Sequence, residues 1–302
     1  LSGGFAEPWT FGERVRDWLL AHAQQFDVIH DNQTLADGIL DLQQAGLPVV
    51  TTIHHPISRD LNVALVGASG WRTRLLVRRW HSFLTMQARV AAQLNHIVTV
   101  SSASAADIAT DFGVLPSAIK VIPNGVDTEL FRALPDVIRK PAQLIATASA
   151  DAPLKGLAVL LQAFKILSTD RPTLQLILIA SPKPGGDTEA LIRQLALGDR
   201  IQFVGGASHA DIVRLYAEST VAVVPSLYEG FGLPAVEAMA SGIPLVSSDG
   251  GALAEVVGEG GLLVPAGDTK ALAGAIDAVL SDADLAAELV KRGQQRAHRT
   301  FS

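Results

Sequence analysis

Glu229-Gly230-Phe231-Gly232-Leu233-Pro234-Ala235-Val236-Glu237 follows directly on the apolar run Val221-Ala222-Val223-Val224-Pro225, and its reading decides the fold. A strand that ends in a glycine loop and then opens a helix leaves backbone N–H groups unpaired, with the positive end of the helix dipole behind them. Such a place favours an anion. Pro234 suits the first helical position, where its missing N–H costs nothing, and Gly230 and Gly232 allow the backbone to approach a ligand closely. Pro234 and the two glycines also argue against one continuous helix that would put both acids on a solvated face.

The two carboxylates require a second explanation, because a carboxylate beside a phosphate is repelled. Glu229 and Glu237 should therefore meet neutral hydrogen-bonding groups, such as sugar hydroxyls, on the same ligand. Phosphate in the middle and hydroxyls at each end describe a nucleotide sugar.

The stretch resembles the E-x7-E signature of the retaining glycosyltransferases of family 4, which have the GT-B fold. The resemblance continues through Glu237-Ala238-Met239-Ala240-Ser241-Gly242-Ile243-Pro244 and Gly250-Gly251-Ala252-Leu253-Ala254-Glu255-Val256-Val257. It is preceded by Val121-Ile122-Pro123-Asn124-Gly125-Val126-Asp127, so that it covers nearly the whole chain. It implies an α/β protein of two doubly wound Rossmann-like domains facing a cleft. Compared with that family, the opening strand and glycine-rich turn are not visible before the helical pattern of Trp9 to Gln25, and the end at Ser302 precedes a usual final helix. The expectation is a fragment with an incomplete N-terminal domain.

Composition sets wider bounds. A chain of 302 residues, 48% hydrophobic, suits two domains. With no cysteine there is no disulfide framework or thiolate metal site, and a net charge of −6 argues against nucleic acid as the main partner. No apolar run has the length of a membrane span, so the expectation is a cytoplasmic protein, with peripheral contact at the inner membrane face as an option.

Short β-branched runs recur at 27–30, 48–53, 97–100, 144–148, 174–180, 201–204, 221–224, 244–247 and 262–264, and most are separated by helical periodicity such as Leu157-Leu160-Leu161-Phe164-Leu167. This alternation predicts parallel sheets covered on both faces. The polar, proline-containing stretch from Arg132 to Gln143 reads as the linker. The expected division is 1–131, an incomplete acceptor-side domain, and 132–302, a donor-binding domain.

Lys155-Gly156 closes the loop after the first strand of the second domain, where a lysine either reaches phosphate oxygens or is simply solvated. The resemblance favours phosphate, since Lys155 matches the family's phosphate-binding lysine. The family commonly has an arginine five or six residues earlier, where this chain has Ser149 and Ala150. His54 ends the run Thr51-Thr52-Ile53-His54, a polar residue at the carboxyl end of a buried strand, and resembles the family's histidine that contacts the transferred sugar. His55 and His30 are weaker candidates. Asn124-Gly125 with Asp127 reads as a turn in which glycine supplies a positive φ, and Ser101 and Ser102 read as helix caps.

Between Leu61 and Ala106 there is no acidic residue, while Arg72, Arg74, Arg78, Arg79 and Arg89 are interleaved with Trp71, Trp80 and Phe83. The stretch fits a helix against an anionic lipid surface, a grip on a phosphorylated acceptor, or a solvated face.

By resemblance, the chain is expected to be a hexosyltransferase-type enzyme that moves a sugar from a nucleotide diphosphate, linked to uridine or guanosine, to an acceptor hydroxyl. The acceptor is a sugar, a lipid-linked compound or a small molecule. No metal and no cofactor is expected, since no DxD-type motif stands near the site. The catalytic residues implied are His54, Lys155 and Glu229; donor binding falls to Ser149, Gly230, Phe231, Gly232, Leu233 and Glu237. The alternative is a non-catalytic module of the same fold that binds a sugar nucleotide or partners an active transferase.

Overall fold

The structure is a computed structural model that describes residues 6–68, 70–148 and 151–302. The chain divides into two compact units, Leu1–Pro123 and Asn124–Ser302. This places 124–131 with the second unit, although the linker read from the sequence begins only at Arg132. The reason is packing: the Val126 N–H donates to the Phe301 carbonyl at 2.7 Å, and Phe131 is buried with its ring against His209. The following segment is docked as well, through Arg139 to the carbonyls of Gly242 (2.5 Å) and Ser219 (3.3 Å).

The first unit carries strands β1 (Ile29–Asn32), β2 (Val49–Thr52), β3 (Ile97–Thr99) and β4 (Ile119–Val121), all parallel and in that order across the sheet. β4 was not foreseen, because three residues at a sheet edge, with Lys120 in the middle, carry almost no hydrophobic pattern. The helices are α1 (Glu7–Ala21), α2 (Asp37–Gln44), α3 (Ser58–Gly67), α4 (Gly70–Trp80), α5 (Leu84–Ala91) and α6 (Ser102–Phe112). Ser101 caps α6 by accepting the Ser104 N–H at 3.0 Å, and Gly113 ends it in the left-handed region. Leu35, Leu42, Ile53, Ile97 and Ile108 form the centre of this core.

The second unit has a six-stranded parallel sheet in the order β10-β9-β8-β5-β6-β7. Its strands are β5 (Gln143–Thr147), β6 (Gln175–Ile179), β7 (Ile201–Phe203), β8 (Val221–Val224), β9 (Leu245–Ser248) and β10 (Leu262–Val264). The helices are α7 (Leu157–Asp170), α8 (Asp187–Gln194), α9 (His209–Glu218), α10 (Leu233–Ala240), α11 (Leu253–Val257), α12 (Thr269–Ser281) and α13 (Ala283–Phe301). The unbroken apolar runs take interior places as their composition requires: β8 is buried throughout and lies between β9 and β5. Leu160, Leu161 and Phe164 of α7 are fully buried in a core shared with the sheet and with Leu272 and Ile276 of α12. Ser208 and Asp211 form a reciprocal capping box at the start of α9. Both units are therefore α/β with parallel sheets. Among the described residues no helix is long and apolar enough to cross a membrane.

One turn differs from expectation. Gly125 does not adopt a positive φ; the turn is made instead by Asp127, whose Oδ1 accepts the N–H groups of Glu129 and Leu130, each at 3.0 Å.

Candidate functional site

In the second sheet the chain runs outward from β5 through β6 to β7, then returns to β8 on the other side of β5. The loops after β5 and β8 therefore diverge from a topological switch point, the place in an open α/β sheet where a ligand crevice forms. Lys155 stands on the first loop and Glu229 on the second.

Three loops are stitched together there. The Leu227 N–H donates to the Leu154 carbonyl at 2.7 Å. Gly156, at φ +63°, lies so close to the next loop that a β-carbon there would sit 1.9 Å from the Pro225 carbonyl oxygen. On the other side the Ala252 N–H donates to the Glu229 carbonyl at 2.8 Å, and a β-carbon on Gly251 would lie 2.3 Å from that same oxygen. Gly232, at φ +101°, turns the chain into α10, where Leu233 is the first helical residue and Pro234 the second, one place later than expected.

The charged centre follows from this frame. Lys155 Nζ donates to Glu229 Oε1 at 2.8 Å, and Ser226 Oγ donates to the same oxygen at 2.8 Å. Ser226 is buried, and its own carbonyl accepts the Ser248 hydroxyl. The Glu229 side chain is only 12% exposed and that of Lys155 34% exposed, so the pair is partly screened from water. Lys155 also lines an open pocket of about 420 Å³ with Thr147, Ala148, Ala180, Ser181 and Pro234, at the carboxyl ends of β5 and β6.

Glu237 lies half-buried in α10 and, among the described residues, forms no ion pair or side-chain hydrogen bond. Burial raises its carboxyl above the ordinary glutamate value, against a smaller opposite influence from His209. Beneath it the fully buried Tyr216 hydroxyl, 3.4 Å from the Pro234 carbonyl and 3.3 Å from Thr147 Oγ1, is also pushed up, first by burial and then by Glu237.

Phe231 is buried, with its ring edge-on to Phe301 at 5.5 Å, so its side chain anchors the loop and only its backbone remains for a ligand. Gly230, Gly232 and Leu233 sit in the same turn. Ser149 lies outside the described residues, as does Ala150.

In the first unit, His54 follows β2. Its Nε2 is 2.8 Å from Asn32 Oδ1, and its backbone N–H donates to Gln33 Oε1 at 2.7 Å. Because the amide oxygen can only accept, Nε2 carries the proton and Nδ1 keeps the lone pair. Desolvation lowers the His54 pKa below 6.5, and the neighbouring His55 and His30 push the same way. The ring is therefore neutral at neutral pH. His55 is held by Asp60 at 2.9 Å and His30 by Thr52 Oγ1 at 2.8 Å. Asn32→Asp would place a carboxylate on Nε2 and is expected to raise the His54 pKa, because an adjacent negative charge favours the imidazolium. An NMR titration of the imidazole checks this, and an unshifted midpoint would refute the assigned contact.

Sequence reasoning missed Ser226, Asn32 and Gln33. The signal that pointed to His54, a polar residue at the carboxyl end of a buried strand, was present for Ser226 after β8, whereas Asn32 ends and Gln33 follows β1, an edge strand buried only at alternate residues, and they carried no such signal.

Comparison with known proteins accords with this geometry. The family described as glycosyl transferases group 1 matches residues 135–296, and glycosyltransferase family 4 matches 2–130. An MMP alpha-(1->4)-mannosyltransferase of Mycolicibacterium hassiacum is 45% identical over 305 residues, covering 100% of this chain and 73% of the relative. A D-inositol 3-phosphate glycosyltransferase of Acidothermus cellulolyticus is 32% identical, with 91% of this chain and 64% of the relative covered. Among solved structures, a sucrose-phosphate synthase from Thermosynechococcus elongatus superposes with a TM-score of 0.79 at 26% identity, over 97% of this chain and 73% of that one. The chain belongs to the family 4, group 1 glycosyltransferases of the GT-B fold and is a hexosyltransferase.

Proposed function

We propose that this enzyme is a retaining, metal-independent glycosyltransferase that moves a hexose from a nucleotide-diphosphate sugar, linked to uridine or guanosine, to an acceptor hydroxyl. The observation that carries the reading is the Lys155–Glu229 pair at the switch point, beside the glycine turn that opens α10.

In this reading Lys155 and the backbone amides from Gly230 to Leu233 hold the diphosphate. They act most strongly as its charge grows, because oriented donors in a partly dry site need no reorganisation when the bond breaks. Ser149 completes the donor contacts. Glu229 exchanges part of its pairing for sugar hydroxyls, Glu237 accepts from the ribose hydroxyls, and His54 offers its Nδ1 lone pair to a hydroxyl of the transferred sugar. The acceptor oxygen forms the new bond to the anomeric carbon on the face from which the phosphate leaves. The carbon–oxygen bond to the phosphate breaks, and the acceptor proton passes to the departing phosphate oxygen. No separate base is needed in this step. The positive charge opposite the leaving group comes from Lys155 rather than from a metal ion. The acceptor is a sugar, a lipid-linked compound or a small molecule, and the proposed workplace is the cytoplasm.

The test is turnover of nucleotide sugars by the protein with and without a chelator, with the product's anomeric configuration read by NMR. Transfer that survives chelation and keeps the donor's configuration supports the reading. An inverted product, a requirement for added metal, or donor binding without transfer would each overturn the part it addresses; the last outcome would mark a binding module.

Glu237→Gln separates function from stability. A raised carboxyl pKa in the folded state means that protonation favours folding, so an ionised Glu237 costs stability at neutral pH, and the cost shrinks as pH falls through the folded-state pKa and is gone below the ordinary glutamate value. The glutamine variant is expected to unfold at a slightly higher temperature at neutral pH, with no gain in acid. It should also bind donor about tenfold or more weakly, since one hydrogen bond to a charged acceptor is lost. Calorimetry of donor binding decides: unchanged affinity would remove Glu237 from the ribose.

A further inference from the structure

The helical hairpin α3–α4 in the first unit groups several of the strongly exposed apolar side chains among the described residues. None of the 10 residues of α3 or the 11 residues of α4 is buried. Trp71 is 71% exposed, Leu75 57%, Leu76 59%, and Val66, near the end of α3, 86%. Burying such side chains against the body of a protein is the usual outcome, so a cluster left outside points to a partner surface.

The charge on this hairpin identifies the partner's chemistry. Arg72, Arg74, Arg78 and Arg79 all lie on α4 and all are exposed. Among the described residues none of them enters an ion pair. The acids nearest the root of the hairpin are already occupied: Arg59 of α3 pairs with Asp107 at 2.8 Å and Asp111 at 3.0 Å, and Asp60 pairs with His55 at 2.9 Å. The root is thus pinned to α6, and the outer helix keeps its cations in a chain whose net charge is −6.

The arrangement along α4 matters as much as the charge. Val77 is its one partly covered residue. On the side away from Val77, Trp71 and Leu75 lie one turn apart on the helix surface, while the exposed Leu76 and Trp80 lie round toward the Val77 side. Arg72 and Arg79 flank Trp71 and Leu75 on one side, and Arg74 and Arg78 on the other. A central apolar stripe with arginines along both margins matches a helix lying in the plane of a membrane interface, its long cationic side chains reaching up to headgroup phosphates. A second copy of this helix is a poor occupant, because the two sets of arginines would face each other. A soluble phosphorylated ligand would use the cations but leave Trp71, Leu75 and Val66 in water.

We propose that α4, with Val66 beside it, docks this protein on an anionic lipid bilayer. The proposal does not depend on the transfer reaction. The experiment uses the protein with vesicles of phosphatidylcholine alone and of phosphatidylcholine mixed with phosphatidylglycerol, read by co-sedimentation and by tryptophan emission. Binding at least tenfold tighter to the anionic vesicles, weakening as salt screens the charges, is the expected result. The triple variant R74Q/R78Q/R79Q should lose at least tenfold of that binding. The double variant W71A/L75A should lose the blue shift in emission and bind several-fold more weakly. Circular dichroism confirms that the variants remain folded. Equal binding to both vesicles, no binding, or unchanged binding by the triple variant would overturn the proposal. A dimer in sedimentation equilibrium that W71A/L75A dissociates would overturn it in favour of a second copy.

Discussion

Lys155→Ala is expected to lower kcat/KM for sugar transfer by roughly 10²- to 10³-fold, the range for removing one preorganised charge contact from a developing oxyanion. The structure adds a complication that the experiment must separate. Lys155 also neutralises Glu229, whose side chain is 12% exposed and, among the described residues, otherwise receives only the Ser226 hydroxyl at Oε1. Removing the lysine leaves that carboxylate under-compensated, so a fall in stability is expected along with the fall in rate. The double variant K155A/E229Q removes the stranded charge. Its thermal stability should return toward that of the parent, while transfer stays low. Recovery of transfer in the double variant would show that Lys155 serves only to hold Glu229 and would remove it from the diphosphate. Lys155→Arg is an informative companion, since it keeps the charge but replaces a compact ammonium with a planar fork in a pocket shaped by the first.

The second large effect is structural. Gly156→Ala is expected to destabilise the second unit by about 2–4 kcal/mol, combining the strain of a side chain at positive φ with a forced shift of packed backbone. The added carbon would lie 1.9 Å from the Pro225 carbonyl oxygen and 2.7 Å from its carbon, and neither atom belongs to a flexible side chain. Gly185→Ala provides the control: that glycine has φ +71° but nothing within 4 Å of the added carbon, so the strain acts there alone and costs about 1 kcal/mol. Unfolding midpoints of the two variants isolate the close approach. Equal losses would mean that the loops after β5 and β8 are not pressed together as described. Because Lys155 immediately precedes Gly156, the alanine variant should also lose donor affinity more than its stability loss explains.

Much of the glycine turn that opens α10 was legible because its chemistry is local. A buried β-branched run, two glycines and a proline at a helix start constrain one another within a few residues, and it is the proline and glycines, not the spacing of the two carboxylates, that argue against a single helix. The parallel α/β class was legible for a similar reason, since strand runs and helical periodicities alternate along the chain. Short edge elements such as β4 were not, because a strand with one buried neighbour and an exposed lysine carries little pattern of its own. The position of Gly125 was misjudged because a glycine in a turn does not reveal which residue makes the turn; Asp127 does so here.

What the sequence determined by itself, then, is the set of chemical groups and their local settings: a glycine turn at a helix start, two acids, a lysine at the end of a loop and a histidine at the end of a strand. Which of these groups meet was decided only by tertiary structure. Lys155 and Glu229 are 74 residues apart and become partners because β8 returns to lie beside β5. His54 acquires a defined tautomer from Asn32, 22 residues earlier, because β1 and β2 pair in register. Pairing across such distances depends on strand order and on close backbone contacts at Gly156 and Gly251, which follow from packing of the whole unit and leave no periodic trace in the chain.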